Sequence, residues 1–140
     1  MADMKALRGS VADMCADLVA SGGIPFESTT ELQRQMLASF AFGMTFALGQ
    51  TEHLTPPEVH ALSITMLMDA FKYSGHQATA FSSRLIESAE GRGNPTIQAI
   101  IHRGIDGHLQ WSSRQTAELS KNINSVFQAV GDEPMSRSRN

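Results

Sequence analysis

The segment 101–108, IHRGIDGH, places two histidines, an aspartate, an arginine and two glycines within eight residues. Imidazole and carboxylate groups bind zinc and carry protons in catalysis. His102 and Asp106 are four residues apart, so a helix would place them on one side, where both could bind the same metal ion. The segment is therefore either a catalytic or metal site, or the polar edge of a packed helix.

Helical geometry favours the polar edge. Because each residue advances about 100° around a helix, His108 points into the apolar face and His102 lies about 120° away from it. The two histidines therefore cannot bind one metal ion from a straight helix. Zinc requires three or four ligands, and the sequence places no third ligand beside His102 and Asp106. We expect no metal and no cofactor, and a local hydrogen bond or ion pair between His102 and Asp106.

The glycines of the segment predict a close contact between helices. Gly104 and Gly107 both face the apolar side, although each weakens an isolated helix by roughly 1 kcal/mol relative to alanine. Gly43 lies in a run of phenylalanine and methionine and has the same interpretation. At these positions a missing side chain lets the backbone of a second helix approach.

The rest of the chain offers little catalytic chemistry. It contains no glycine-rich phosphate loop, no CxxC, no HExxH, no serine in a nucleophile elbow and no ExxH pair. We therefore expect a protein that is not an enzyme. The single cysteine, Cys15, excludes an internal disulfide and is interpreted as a small core residue. A net charge of −3 argues against a nucleic-acid surface, and no signal peptide is visible, so a cytoplasmic protein is expected.

Composition and spacing predict an all-α fold: a single compact bundle of five or six helices without a sheet. Hydrophobic residues make up 41% of the chain, and its valines, isoleucines and threonines are scattered. We predict one helical domain over residues 1–131 and a flexible tail over 132–140. Residues 36–48 are apolar on nearly all sides but too few to span a membrane, so this helix is expected to be buried and no membrane contact is expected.

The predicted boundaries rest on caps and breakers. The second helix has two possible starts, Ser28 with Glu31 and Thr30 with Gln33, since both pairs have capping-box spacing. The pattern leaves open whether residues 95–130 form one helix or two joined near 112–113. The remaining boundaries are set by Gly22-Gly23, Thr55-Pro56-Pro57-Glu58, Ser74-Gly75, Gly91-Arg92-Gly93 and Asn94-Pro95.

Within residues 30–111 the chain resembles the small all-α immunity proteins of bacterial polymorphic-toxin and type VI secretion systems. The segments that carry the resemblance are 33–36, 42–44, 54–62, 71–74, 80–82 and 100–107. The resemblance implies a non-enzymatic cytosolic protein that binds and neutralises a cognate toxin delivered by a neighbouring cell. Two alternatives remain: a ligand-binding or regulatory domain with a pocket lined by methionine and phenylalanine, and a helical enzyme centred on His102 and Asp106.

Partner contacts are expected at exposed side chains of the types that dominate binding hot spots, namely tyrosine, tryptophan and arginine. The only tyrosine, Tyr73, ends the third helix, and His76 comes three residues later. Arg103 and Asp106 lie on the polar edge of the fifth helix. We predict these four residues as partner contacts, and leave out Trp111, whose ring the pattern does not place.

Overall fold

A computed structural model describes residues 3–131, and within them the chain forms six α-helices and no strand. A short 3-10 turn, Phe26–Ser28, precedes the second helix. This confirms the prediction of an all-α fold without a sheet. The predicted tail 132–140 lies outside the described residues. The helices are α1 (Met4–Gly22), α2 (Glu31–Thr51), α3 (Pro56–Phe71), α4 (Gly75–Ala89), α5 (Pro95–Ser112) and α6 (Thr116–Gly131).

Short-range capping explains where most helices start. In three of them the hydroxyl of the cap residue accepts a hydrogen bond from the backbone amide of the third helical residue. The side chain of that third residue accepts a hydrogen bond from the backbone amide of the cap residue. Of the two starts possible for α2 the structure uses Thr30, while Ser28 ends the 3-10 turn. The side chain of Asn94 caps α5 ahead of Pro95. The three reciprocal pairs are Thr30–Gln33, Thr55–Glu58 and Ser74–Gln77.

The structure also settles that residues 95–130 form two helices. Helix α5 ends at Ser112, and Arg114 adopts a left-handed conformation with φ of 59°. A residue with positive φ cannot continue a right-handed helix, so the chain turns there before α6 begins. The break lies where the apolar pattern lapses.

Helix α2 occupies the centre of the fold. Every residue from 36 to 49 is buried except Phe46, as the apolar sequence predicted. The hydroxyl of the fully buried Thr45 donates to the carbonyl oxygen of Ala41 at 2.8 Å, so this polar group is satisfied inside the helix. Buried side chains from all six helices join in one hydrophobic cluster around it. Among residues 3–131, none of the helices combines the length and the hydrophobicity that a membrane span requires.

Helix α5 packs directly on α2 through the glycines. A Cβ built on Gly43 would collide with the carbonyl oxygen of Ile101, and one built on Gly104 would collide with that of Phe40. A Cβ on Gly107 would lie 2.5 Å from the ring of Phe40. The expected close contact is thus confirmed for all three glycines. Because the glycine side of α5 is buried, its opposite side is presented to solvent.

Candidate functional site

The solvent-facing side of α5 carries His102, Arg103, Asp106 and Leu109, all exposed. Leu109 is 65% exposed, more than any other large hydrophobic side chain among the described residues. It lies three residues after Asp106, hence about 60° from it around the helix. That angle follows from the sequence alone, although Leu109 is not among the four contacts that the sequence predicts. Beside these charged groups, Leu109 offers an apolar contact to another protein.

Arg103 is tied to α6 rather than free. Its Nε donates to Asn122 Oδ1 at 2.7 Å, and its guanidinium also donates to Ser125 Oγ at 2.8 Å. Asn122, which is buried, donates in turn to the carbonyl oxygen of Arg103 at 3.0 Å and to Gln110 Oε1 at 3.1 Å. This network holds the guanidinium in one position and fixes α5 against α6.

Asp106 lines a shallow cavity of about 460 Å³ at the α5–α6 junction, together with Arg103, Gln110 and Lys121. Within the described residues no cation lies within ion-pair distance of its carboxylate. The carboxylate is therefore available to a group from outside the chain. We name Arg103, Asp106, Leu109, Gln110 and Lys121 the α5–α6 face.

The expected bond between His102 and Asp106 is not formed: neither side chain donates to the other in the part of the chain that the structure describes. Both residues are exposed, and at such a position water competes for the hydrogen bonds of each. No group of three or more His, Cys, Asp or Glu residues that could hold a metal ion occurs within residues 3–131.

Trp111 extends the site towards α1. Its indole Nε1 donates to Asp17 Oδ2 at 2.8 Å. The half-buried Trp111 also lines a cavity of about 880 Å³. Gln110 lines both this cavity and the one beside Asp106, so the two are adjacent. His108 lies beside the indole, with 6.4 Å between ring centroids, and burial lowers the pKa of its imidazole.

Tyr73 and His76 belong to a different part of the surface, at the corner between α3 and α4. The half-buried ring of Tyr73 meets Phe81 edge-on at 5.6 Å, and its hydroxyl donates to Glu31 at 3.5 Å. Burial, and then the negative charge of Glu31, raises the pKa of Tyr73 to about 12. His76 is exposed in the first turn of α4. The four predicted contacts therefore fall into two groups, Tyr73 with His76 and Arg103 with Asp106.

Two of the large apolar side chains at the centre of α2 pack in the core. Phe40 and Met44 are completely buried in the hydrophobic cluster, so they serve as packing rather than as a pocket lining. Cys15 is also buried, as expected, and burial raises the pKa of its thiol to about 12. A thiol in this environment stays protonated and is a poor nucleophile.

The comparisons with known proteins assign a family. Residues 10–131 match the family model of immunity protein 48, Imm48, which covers all of the described chain after the first turns of α1. No curated protein and no solved structure matches the chain. A match over most of the chain, on an all-helical fold, leads to one conclusion: the chain belongs to the immunity protein 48 family.

Proposed function

We propose that the protein protects its cell by binding a toxin protein and covering the toxin's working surface without chemical change to either partner. The family assignment supports an immunity role. The site supports a binding mechanism, because its conspicuous features are an exposed leucine and fixed charges rather than an activated nucleophile. The toxin would be a polymorphic or type VI effector from a neighbouring cell, met in the cytoplasm.

The observation that carries this proposal is the rigid α5–α6 face. Leu109 offers an apolar anchor, and Asp106 beside it offers an acceptor for a basic group of the toxin. The hydrogen bonds of Arg103 to α6 hold this surface in one arrangement before binding. A preorganised surface loses less conformational entropy on association, so more of its contact energy contributes to affinity.

The direct test is protection of growth. Cells that express a toxin gene found beside the gene of this protein would receive the wild-type chain or a folded variant. Asp106→Arg and Leu109→Asp each change an exposed side chain of the α5–α6 face and should abolish protection. Asp13→Arg makes the same charge reversal as Asp106→Arg on the exposed side of α1 and should retain protection.

The pattern of protection among these variants shows which surface of the protein binds the toxin. Loss of protection in Asp13→Arg alone would place the toxin on α1, and protection retained in all three variants would contradict the α5–α6 face. The corner between α3 and α4 is tested separately, by His76→Glu. Protection that fails with the wild-type chain would contradict neutralisation of this toxin altogether.

A further inference from the structure

A second open groove lies away from the α5–α6 face, where the ends of α2 and α4 meet the start of α3. It encloses about 450 Å³ and is lined by apolar side chains, among them Phe46, Leu54, Val59 and Ile86. Phe46 is the one side chain of residues 36–49 that the core does not bury. Gln50 and Glu90 line the same groove. We name these six residues the acidic groove.

The charge around the groove is one-sided. No lysine or arginine occurs between Arg34 and Lys72, while Glu52 and Glu58 lie at the α2–α3 corner. Glu90 has a single cationic neighbour, Arg92, with which it forms an exposed ion pair. Among the described residues, Glu90 is the one carboxylate that lines the groove, and Glu52 and Glu58 add negative charge at the neighbouring α2–α3 corner.

Two helix ends add to the negative potential. Helices α2 and α4 end beside the groove, and neither has a basic residue in its last turn. Their C-terminal caps are Glu52 and Glu90. A carboxylate at the C-terminus of a helix has the same sign as the end of the helix dipole and is unfavourable there. Arg92 already pairs with Glu90 at the end of α4. No cation of the described residues lies within ion-pair distance of Glu52, so a cation from another molecule would relieve the repulsion at the end of α2.

The groove also contains a polar atom without a partner. His60 lines it, and its Nε2 is buried and makes no hydrogen bond with any described residue. A buried imidazole nitrogen without a partner carries a free-energy penalty, which a hydrogen-bonding group brought by a ligand would remove. The groove is therefore open to solvent and leaves one buried polar atom of its lining without a hydrogen bond.

We infer that the acidic groove docks a basic amphipathic segment of a partner protein. One apolar side chain of that segment would sit against Phe46 and Val59, and flanking lysines or arginines would face Glu52, Glu90 and the two helix ends. This interaction goes beyond the proposed toxin site, since no residue of the acidic groove lines the cavities beside Asp106 or Trp111. An acidic rim excludes nucleic acid as the occupant.

The test uses a fluorescently labelled helical peptide of leucine and lysine, designed with one apolar stripe, and fluorescence anisotropy. A peptide with glutamate in place of every lysine is the matched control. The wild-type chain should bind the lysine peptide saturably, more weakly as salt rises, and should not bind the glutamate peptide. Phe46→Asp should weaken binding by about tenfold or more, as expected for loss of an aromatic anchor.

Variants separate the groove from the rest of the surface. The double variant Glu52→Lys with Glu90→Lys changes only exposed side chains and should weaken binding as Phe46→Asp does, so the test survives if Phe46→Asp fails to fold. Leu109→Asp, on the α5–α6 face, should bind as the wild type does. Because this readout needs no toxin, its failure is distinct from failure of the proposed function.

Three results of the peptide-binding experiment would overturn the inference. They are equal affinity for the glutamate peptide, unchanged affinity in the double variant, and loss of affinity in Leu109→Asp. Self-association of the wild-type chain that Phe46→Asp abolishes would instead assign the groove to a second copy of the protein, and would also overturn it.

Discussion

Gly43 of α2 and Gly104 of α5 bring two helix backbones into direct contact at the centre of the protein. A Cβ added to Gly104 would lie 3.1 Å from the Cα of Gly43 and would collide with the carbonyl oxygen of Phe40. Backbone atoms cannot move aside as a flexible side chain can. The position of α5, and with it the α5–α6 face, therefore depends on the absence of side chains at these two positions.

Replacing Gly104 by alanine should lower the free energy of unfolding by about 1–3 kcal/mol or more, since the added methyl group overpacks a backbone contact. Gly43→Leu should destabilise the protein for the same reason. Denaturant unfolding followed by circular dichroism measures both changes.

The matched control is Gly9→Ala. Gly9 also lies within a helix, but a Cβ there would meet nothing within 4 Å. This substitution should stabilise the protein by about 0.5–1 kcal/mol, through lower backbone entropy in the unfolded chain. A neutral Gly104→Ala would show that α5 does not pack on α2 in this way.

Asn122→Ala should destabilise the protein by about 1–3 kcal/mol, because it removes the buried amide that is hydrogen-bonded to both the guanidinium and the carbonyl oxygen of Arg103. Gln128→Ala removes a similar amide from an exposed position of the same helix and should change stability by less than about 0.5 kcal/mol. Similar values for the two variants would mean that the Arg103 network contributes little. Thermal or denaturant unfolding of both variants decides between these outcomes.

Tyr73 is the only tyrosine of the chain, so its ionisation can be followed alone by near-ultraviolet absorbance. In the folded protein the midpoint should lie near pH 12 rather than at the ordinary value of 10.0. Because the unfolded chain releases this proton first, stability is present below the unfolded pKa and is lost as pH rises through the folded one. Glu31→Gln should shift the midpoint towards the ordinary value. A midpoint at the ordinary value in the wild type would mean that the ring is solvated.

His108 predicts a loss of stability in mild acid. Burial lowers the pKa of its imidazole below the ordinary value of 6.5, so the unfolded chain takes up a proton that the folded one resists. The contribution is fully present above the unfolded pKa and is lost as pH falls through the folded one. Between about pH 8 and pH 5, unfolding free energy should therefore fall more for the wild type than for His108→Gln. Parallel curves would contradict the burial of His108.

Much of the secondary structure could be predicted from the sequence because its determinants are local. The cap of α3 joins Thr55 to Glu58, three residues away, and the cap of α5 joins Asn94 to Ile97. The apolar period of α5 likewise predicted that Gly104 is buried and Asp106 exposed. Such features depend on hydrogen bonds and angles within a few turns of one helix, so adjacent residues are sufficient to specify them.

The site depends on contacts between distant residues, and these only the tertiary structure decided. Arg103 finds its partner at Asn122, and the indole of Trp111 reaches Asp17, 94 positions earlier in the chain. The sequence shows that Arg103 and Trp111 can donate hydrogen bonds, but not which acceptors the packing of six helices brings within reach. Helical periodicity determines which side of α5 is polar. The glycine contact with α2 determines what lies beside that polar side. Adjacent residues could not reveal this, because packing between distant segments has no period in the sequence.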